Sequence, residues 1–385
     1  MSTRLLACCL GLLLIAVAPV QASSGIQLVG GCNTPGEAFS VAVSGNYAYV
    51  ADGYAGLRVI SIVDPAHPVE VGSFDTPGFA RGVAVNGNYA YVADRDSGLC
   101  VISVVDPAHP SEVGHCNTPR DAFDVAASGN YAYVADYDSA FRVISIADPA
   151  HPVEVGICSN CLPASSVTVV GSYAYMADGI DGVRVFSVAD PANPVTVGGY
   201  NLIGASFLSV AVDGDHAYAA ASDSGVHTFS LTDSFHMTHL GRYGSYKWAW
   251  GIAASHGYAY VAADEDGLRA LSVADPAHPT EAAIYDAPNW WANGVTVNGG
   301  YVYVAYGSAG LQIFQSLGGI EESPKPQASS CRLASTVIRT LPAAAVAFDA
   351  MGRRVSNPRS GIYFVRERSA VGGEPSALAK VIVSR

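Results

Sequence analysis

The stretch Gly45-Asn46-Tyr47-Ala48-Tyr49-Val50-Ala51-Asp52 decides the fold. It returns as Gly87–Asp94, as Gly129–Asp136 and, with two changes, as Gly171–Asp178. Looser copies begin at Gly214, His256 and Gly299. The first ring residue of each copy marks the period: Tyr47, Tyr89, Tyr131, Tyr173, His216, Tyr258 and Tyr301, separated by 42, 42, 42, 43, 42 and 43 residues. A fixed period of this size is the signature of a repeat architecture.

Outward from this stretch, each unit reads as four strands. Val41-Ala42-Val43 is a short apolar run. Ser44-Gly45-Asn46 is a turn, because Gly and Asn tolerate positive φ. Tyr47–Ala51 alternates large and small side chains, as a buried strand does. Asp52–Gly56 is a second turn, and Leu57–Ile62 a third strand. Asp64-Pro65-Ala66-His67-Pro68 cannot continue a ladder, since proline fixes φ and lacks a donor. Val69–Ser73 is the fourth strand. A four-stranded sheet that is apolar on both faces needs a neighbour on each side. A closed ring of sheets supplies both, which is the β-propeller. The last unit stops after Leu311–Gln315 and lacks its fourth strand, whereas Ile26–Gly30 precedes the first unit as an orphan. The expected fold is therefore an all-β, seven-bladed propeller of four-stranded antiparallel blades. The N-terminal strand closes the ring and removes its exposed edge.

The segment Leu57-Arg58-Val59-Ile60-Ser61-Ile62-Val63-Asp64-Pro65, with copies at Leu99, Phe141, Val183 and Leu268, resembles the LVIVD repeat of bacterial and archaeal secreted proteins. The resemblance covers residues 26–316 and implies a β-propeller. It departs in the fifth unit, where Asp233-Ser234-Phe235-His236-Met237 replaces the Asp-Pro-Ala-His-Pro turn. The family implies no single activity.

The ends of the chain read as targeting segments. Residues 1–22 have the layout of a signal peptide: Arg4, an apolar run from Leu5 to Val20, then Val20-Gln21-Ala22 as a cleavage site. Residues 317–330 form a Gly/Ser/Pro/Glu linker. Residues 331–385 form a small C-terminal β domain, with strands expected at 333–339, 344–349, 352–355, 361–365 and 380–383. Phe348-Asp349-Ala350-Met351-Gly352-Arg353-Arg354, Ser360–Arg366 and Lys380–Val383 together resemble the sorting domain of type IX secretion cargo. That resemblance implies secretion machinery as a partner and an outer-membrane surface or extracellular location.

Charge narrows the partners. The chain is 14% charged with a formal net charge of −13. Residues 317–385 hold ten Lys/Arg and five Asp/Glu, so the acidity is concentrated in the repeats. An acidic body repels phosphate backbones, which argues against nucleic acid. No segment after the signal is a candidate membrane-spanning helix. Cys158 and Cys161 form a lone CxxC in an inter-strand loop, a candidate disulfide or two free thiols. With no second CxxC, zinc is not expected.

Candidate site residues gather in two loop sets that emerge on one face. The loops into the first strands hold Glu37, Arg81, Asp121, Asp124, Trp248, Trp250, Trp290 and Trp291. Exposed indoles beside charges suit stacking on sugars or cations. The loops between second and third strands hold aspartates, of which Asp94, Asp96, Asp136 and Asp138 are calcium candidates because they stand two apart. The terminal Glu of an EF-hand loop is absent, and a turn aspartate bonding its own backbone is the alternative. No cofactor is otherwise expected. His67, His109, His151 and His278 repeat once per unit in peripheral turns and cannot share one metal. No nucleophile–base pair, metal triad or phosphate loop has specific spacing. The expectation is an exported interaction module binding carbohydrate or protein at the tryptophan-bearing face. A hydrolase or lyase of extracellular polymers at the acidic mouth is the alternative, and a structural envelope protein a third.

Overall fold

Alternation in the Tyr-Ala-Tyr-Val-Ala strand sets how the units pack. In the first unit Tyr49 and Ala51 point toward the second unit, where they meet Ala80, Val83, Ala90 and Val92. Ala48 and Val50 point the other way, onto Tyr303, Ala305, Leu311 and Ile313 of the last unit. One strand thus serves two interfaces, a large side chain on one face fitting beside small ones on the next sheet. Ala48, Val50 and Ala51 are fully buried and Tyr49 is 4% exposed. Each such tyrosine or valine removed from water stabilises the ring by about 1.5–3 kcal/mol.

The computed structural model describes residues 26–137, 140–158, 164–231, 237–244, 246, 248–286 and 291–318, together with five strands of the C-terminal segment. Every regular element among them is a strand. The first blade consists of Ser40–Ser44, Tyr47–Ala51, Leu57–Ser61 and Val69–Phe74, hydrogen-bonded in that order from the channel outward. Five further blades repeat this order. The seventh contains Gly294–Asn298, Tyr301–Ala305 and Leu311–Gln315, and its outermost strand is Leu28–Cys32. Leu28 pairs with Phe314 and Cys32 with Leu311, antiparallel. The innermost strands contact one another in sequence around the circle, and Ser40–Ser44 contacts Gly294–Asn298 to complete it. The ring has seven blades, as the repeat count predicts.

Two local devices repeat. Gly45 has φ +56°, and a Cβ there would meet nothing within 4 Å. The backbone angle, not space, selects glycine in this hairpin turn. Gly72 is a case of close approach instead: a Cβ would lie 2.2 Å from the Pro107 carbonyl oxygen. The Asp-Pro-Ala-His-Pro turn of one blade therefore abuts the outermost strand of the blade before it. Within the turn, Asp64 accepts from the Ala66 N–H at 3.1 Å and from His67 Nδ1 at 3.0 Å. His109, His151 and His278 repeat that contact with their own aspartates.

The chain divides into two compact units between Ile320 and Glu321. In the second unit Thr336–Ile338, Ala345–Phe348, Arg354–Val355, Gly361–Glu367 and Ala379–Val383 form one five-stranded sheet. Thr336–Ile338 runs parallel to Ala379–Val383, and the other pairs are antiparallel. Residues 1–22, read from sequence as a signal peptide, lie outside the described residues. No helix among the described residues is long and apolar enough to cross a membrane.

Candidate functional site

Near the start of its innermost strand each blade has a Val or Ile preceded by two residues at the channel mouth. The nearer of these is small or polar: Ser40, Gly82, Asp124, Ser166, Ser209, Gly251 and Gly294. The farther is Phe39, Arg81, Phe123, Ser165, Leu208, Trp250 and Asn293. Repeats that preserve Tyr-Ala-Tyr-Val-Ala almost unchanged thus diverge at the one position ringing the mouth. All of these residues except Gly82 line a cavity of about 250 Å³.

Arg81 lines this cavity among aromatic rings. Its guanidinium carbon lies 4.3 Å from the ring centre of Phe123, 5.4 Å from Phe39 and 6.0 Å from Trp250. Those rings come from the third, first and sixth blades, so the side chain bridges the mouth. Cation–π contacts of this kind are worth about 0.5–2 kcal/mol each. Among the described residues Arg81 forms no ion pair within 4 Å. Burial, with Arg95 nearby, pulls its pKa down to about 10. Asp124 shares the cavity and accepts the Val167 N–H at 3.0 Å. Burial raises its carboxyl to about 6, against the lowering effects of the Val167 and Val125 N–H groups, Ser166 and Arg81. The mouth therefore offers a fixed cation, aromatic faces, hydroxyls, the Asn293 amide and one carboxyl group near its titration point. Asn293 Nδ2 donates to the Ala38 carbonyl at 2.9 Å, which ties the seventh blade to the first.

A second layer of rings surrounds this mouth. Trp248, 47% exposed, stacks on Trp250 with centroids 5.7 Å apart and planes 17° from parallel. Phe123 stacks on Tyr137 at 4.4 Å, and Phe79 contacts both Phe39 and Tyr54. Tyr54, Ile180, Ile203 and Trp291 are exposed on loops of the same face. Six β-bridges among the described residues stitch these loops between neighbouring blades, such as Gly53 with Ala80 and Asp264 with Ala292. The rim is thus held by backbone bonds.

Of the residues singled out in sequence, Arg81, Asp124 and Trp250 come together in the cavity, and Trp248 and Trp291 stand on its rim. Asp121 lies outside the cavity lining, 3.6 Å from Arg95, and Glu37 is exposed outside it too. Trp290, Asp138 and Cys161 fall outside the described residues, so the candidate Cys158–Cys161 disulfide does too. Phe39, Phe123, Leu208 and Asn293 were missed. Their signal is present in the sequence as a variable column between nearly invariant strands.

The aspartates that end the repeated motif do something other than cap their own turns. Asp52 is fully buried. Its Oδ1 accepts from Thr34 Oγ1 at 2.5 Å and its Oδ2 from the Gly36 N–H at 2.8 Å. Asp94 binds Thr76 and Gly78 in the same way, at 2.6 and 2.7 Å. Each anchors the loop that leads into its own blade. Asp136 is paired with Arg142 Nε at 2.6 Å. Asp94 and Asp136, two of the calcium candidates, thus already hold protein donors; Asp96, two residues after Asp94, is exposed. Glycoside hydrolysis needs two carboxyl groups flanking a bond. Among the described residues the cavity is lined by one, Asp124.

Comparison with known proteins follows this geometry. The LVIVD repeat family matches residues 35–76, 77–118, 119–160, 163–202, 248–287 and 291–314, more than half of the chain. The stretch between 202 and 248, which has no match, is the fifth blade. No curated protein matches the chain. Solved structures similar to it include the WD40 β-propeller domain of Doa1, at 14% identity and a TM-score of 0.61, covering 76% of this chain and 97% of that one. The β-propeller domain of Cps50 (Swd1) from Myceliophteria thermophila is similar at 9% identity and a TM-score of 0.61, covering 76% and 100%. The computationally designed Ika8 protein is similar at 9% identity and a TM-score of 0.56, again covering 76% and 100%. At these identities the likeness shows the fold alone. The six matched stretches, each in register with one blade, place the chain in the LVIVD repeat family.

Proposed function

We propose that the protein is an exported interaction module that binds a ligand at the channel mouth, with an acidic carbohydrate as the ligand class. One observation carries this reading. Arg81 is held by aromatic rings from three blades, without an ion pair, at the repeat position that diverges while the scaffold does not. A carboxylate on a sugar would meet the guanidinium in a partly desolvated site, where a charge-assisted pair is stronger than in water. The ring faces of Trp250 and Phe123 suit stacking on the sugar. Asp124, Asn293 and the serines would bond its hydroxyls. The volume fits one sugar residue, and the open mouth leaves room for a chain to continue outward.

The exposed rim favours a second reading, a protein partner. Ile203 is 97% exposed, Tyr54 83% and Ile180 66%, and apolar groups of this size on one face mark interaction surfaces. Export rests on the leader-like residues 1–22 and on the resemblance of 331–385 to a sorting domain.

The test is an array of acidic and neutral glycans probed with the mature chain and with Arg81→Met. Binding of acidic glycans that Arg81→Met abolishes supports the reading. Binding of neutral glycans only, or binding indifferent to Arg81, refutes the acidic class. Capture of a protein partner that Tyr54→Ser and Ile203→Ser weaken would favour the rim instead.

A further inference from the structure

Wherever a blade keeps the aspartate that ends the repeated motif, its third strand supplies an arginine, with one exception. In the first blade Arg58, on the third strand, lies 3.9 Å from Asp52, 3.6 Å from Glu70 and 2.8 Å from Asp75. In the third, Arg142 pairs with Asp136 at 2.6 Å and Glu154 at 2.5 Å. In the fourth, Arg184 pairs with Asp178 and Asp181, both at 2.6 Å. In the sixth, Ala263 stands for the motif aspartate, and Arg269 binds Asp266, Glu281 and Asp286. The fifth and seventh blades lose cation and motif aspartate together, having His227 with Ala221 and Gln312 with Tyr306. In the three of these blades that keep the motif aspartate, the first, third and fourth, it comes with an arginine.

The second blade departs from this rule. Cys100 occupies the arginine position, yet Asp94 and Glu112 both remain. Among the described residues no arginine or lysine pairs with either. A histidine, His115, has entered instead. Cys100 Sγ lies 3.4 Å from His115 Nδ1 and 3.7 Å from Asp94 Oδ2. His115 Nδ1 lies 3.3 Å from Glu112 Oε1. The donor atoms of Cys100, Glu112 and His115 all fall within 4.8 Å of one another. The backbone explains the convergence. Cys100 is directly opposite His115, and a bulge between Val101 and Ile102 in the pairing shifts the register so that Glu112, three residues earlier, shares that face.

We propose that this cluster is a zinc site, in which a divalent cation takes the place of the missing guanidinium. Zinc bonds of about 2.3 Å to sulfur and about 2.0–2.2 Å to nitrogen or oxygen put tetrahedral ligand atoms about 3.3–3.6 Å apart. The Cys100–His115 and His115–Glu112 separations, 3.4 and 3.3 Å, fall in this range, and all three ligand atoms lie within 4.8 Å of one another. Cys100, His115 and Glu112 are the three protein ligands, and a water would fill the fourth position. The outer sphere is in place as well. His115 Nε2 lies 2.9 Å from Asn117 Oδ1, so its N–H is directed there and Nδ1 presents its lone pair to the cluster. Thr76 and the Gly78 N–H orient Asp94. Cys100 is fully buried, whereas His115 and Glu112 on the outermost strand are about 30% exposed and give the ion a way in. Coordination releases the thiol proton to solvent and leaves a thiolate on the metal. The site lies on the outer strands of its blade, apart from the mouth, and is independent of any ligand bound there.

The experiment uses the full chain, stripped with chelator and titrated with Co²⁺ and then Zn²⁺. One equivalent of Co²⁺ is expected to give thiolate-to-metal charge-transfer absorption with tetrahedral visible bands, and Zn²⁺ to bleach them. Cys100→Ala and His115→Ala are expected to lose the signal, while the other cysteines stay in place as internal controls. Cys100→Arg restores the guanidinium of the repeat. It is expected to lose metal binding and to melt without chelator sensitivity, at or above the metal-loaded wild type. A wild-type chain that gives no charge-transfer band overturns the proposal. So does a band that survives Cys100→Ala, or a Cys100→Arg chain that still binds metal at this site.

Discussion

Replacing Asp124 with asparagine is expected to stabilise the protein at neutral pH and to do nothing in acid. The carboxyl lies in the wall of the mouth, where burial raises its pKa from 3.8 to about 6. A group whose pKa is higher folded than unfolded favours the fold when protonated. Its contribution is complete below about pH 4 and is lost as pH rises through 6. Each pKa unit is worth about 1.4 kcal/mol, so the loss is about 3 kcal/mol, reduced to about 1.5–3 by water in the open mouth. For a folded unit of this size about 1 kcal/mol moves Tm by about 1.5–2 °C, giving a gap of about 2–6 °C. Melts of wild type and Asp124→Asn followed by circular dichroism from about pH 4 to about pH 8 measure it. The gap should open between about pH 4 and 6 and then stay constant. A gap identical at every pH would refute the reasoning, as would a variant less stable at pH 8. Either result would mean that the Val167 N–H and Arg81 compensate the buried charge fully.

Other consequences are open to measurement. Thr34→Val removes one of the two short bonds to buried Asp52 and should cost about 1–3 kcal/mol in denaturant unfolding. His227 is fully buried against His239, and burial pushes its pKa down to about 4. An imidazole depressed on folding stabilises above its unfolded value near 6.5 and loses that contribution as pH falls toward 4, so His227→Phe should flatten acid sensitivity in that window. Deleting residues 26–32 strips the seventh blade of its outermost strand. The truncated chain should melt well below the intact one and associate through the bared edge, as size-exclusion chromatography would detect.

The ring was legible because its causes are local and repeated. Tyr-Ala-Tyr-Val-Ala has period-two alternation, the prolines of Asp64–Pro68 stop the ladder, and the orphan Ile26–Gly30 has an obvious vacancy at the other end of the chain. The mouth was half legible. Arg81, Asp124 and Trp250 stand out by charge or size, but Phe39, Phe123, Leu208 and Asn293 read as ordinary strand-edge residues. Their neighbours in space are whole repeats away in sequence and meet only once the circle closes. The metal-like cluster was hidden for a similar reason. Cys100 and His115 sit on different strands, and it is a bulge that brings Glu112 alongside. The loop-anchoring role of Asp52 was hidden because its partners, Thr34 and Gly36, precede it by 18 and 16 residues.

The pairing of Leu28–Cys32 with Leu311–Gln315 also imposes an order of events. A chain made from its N-terminus carries that first strand unpaired through the synthesis of every blade. Closing so long a loop costs entropy that no local contact offsets beforehand, and folds dominated by such contacts form slowly. Blades can assemble one upon the next, but the circle stays an open arc until its final residues emerge. The repeats thus confer incremental stability, while the terminal strand makes the finished ring an all-or-none object.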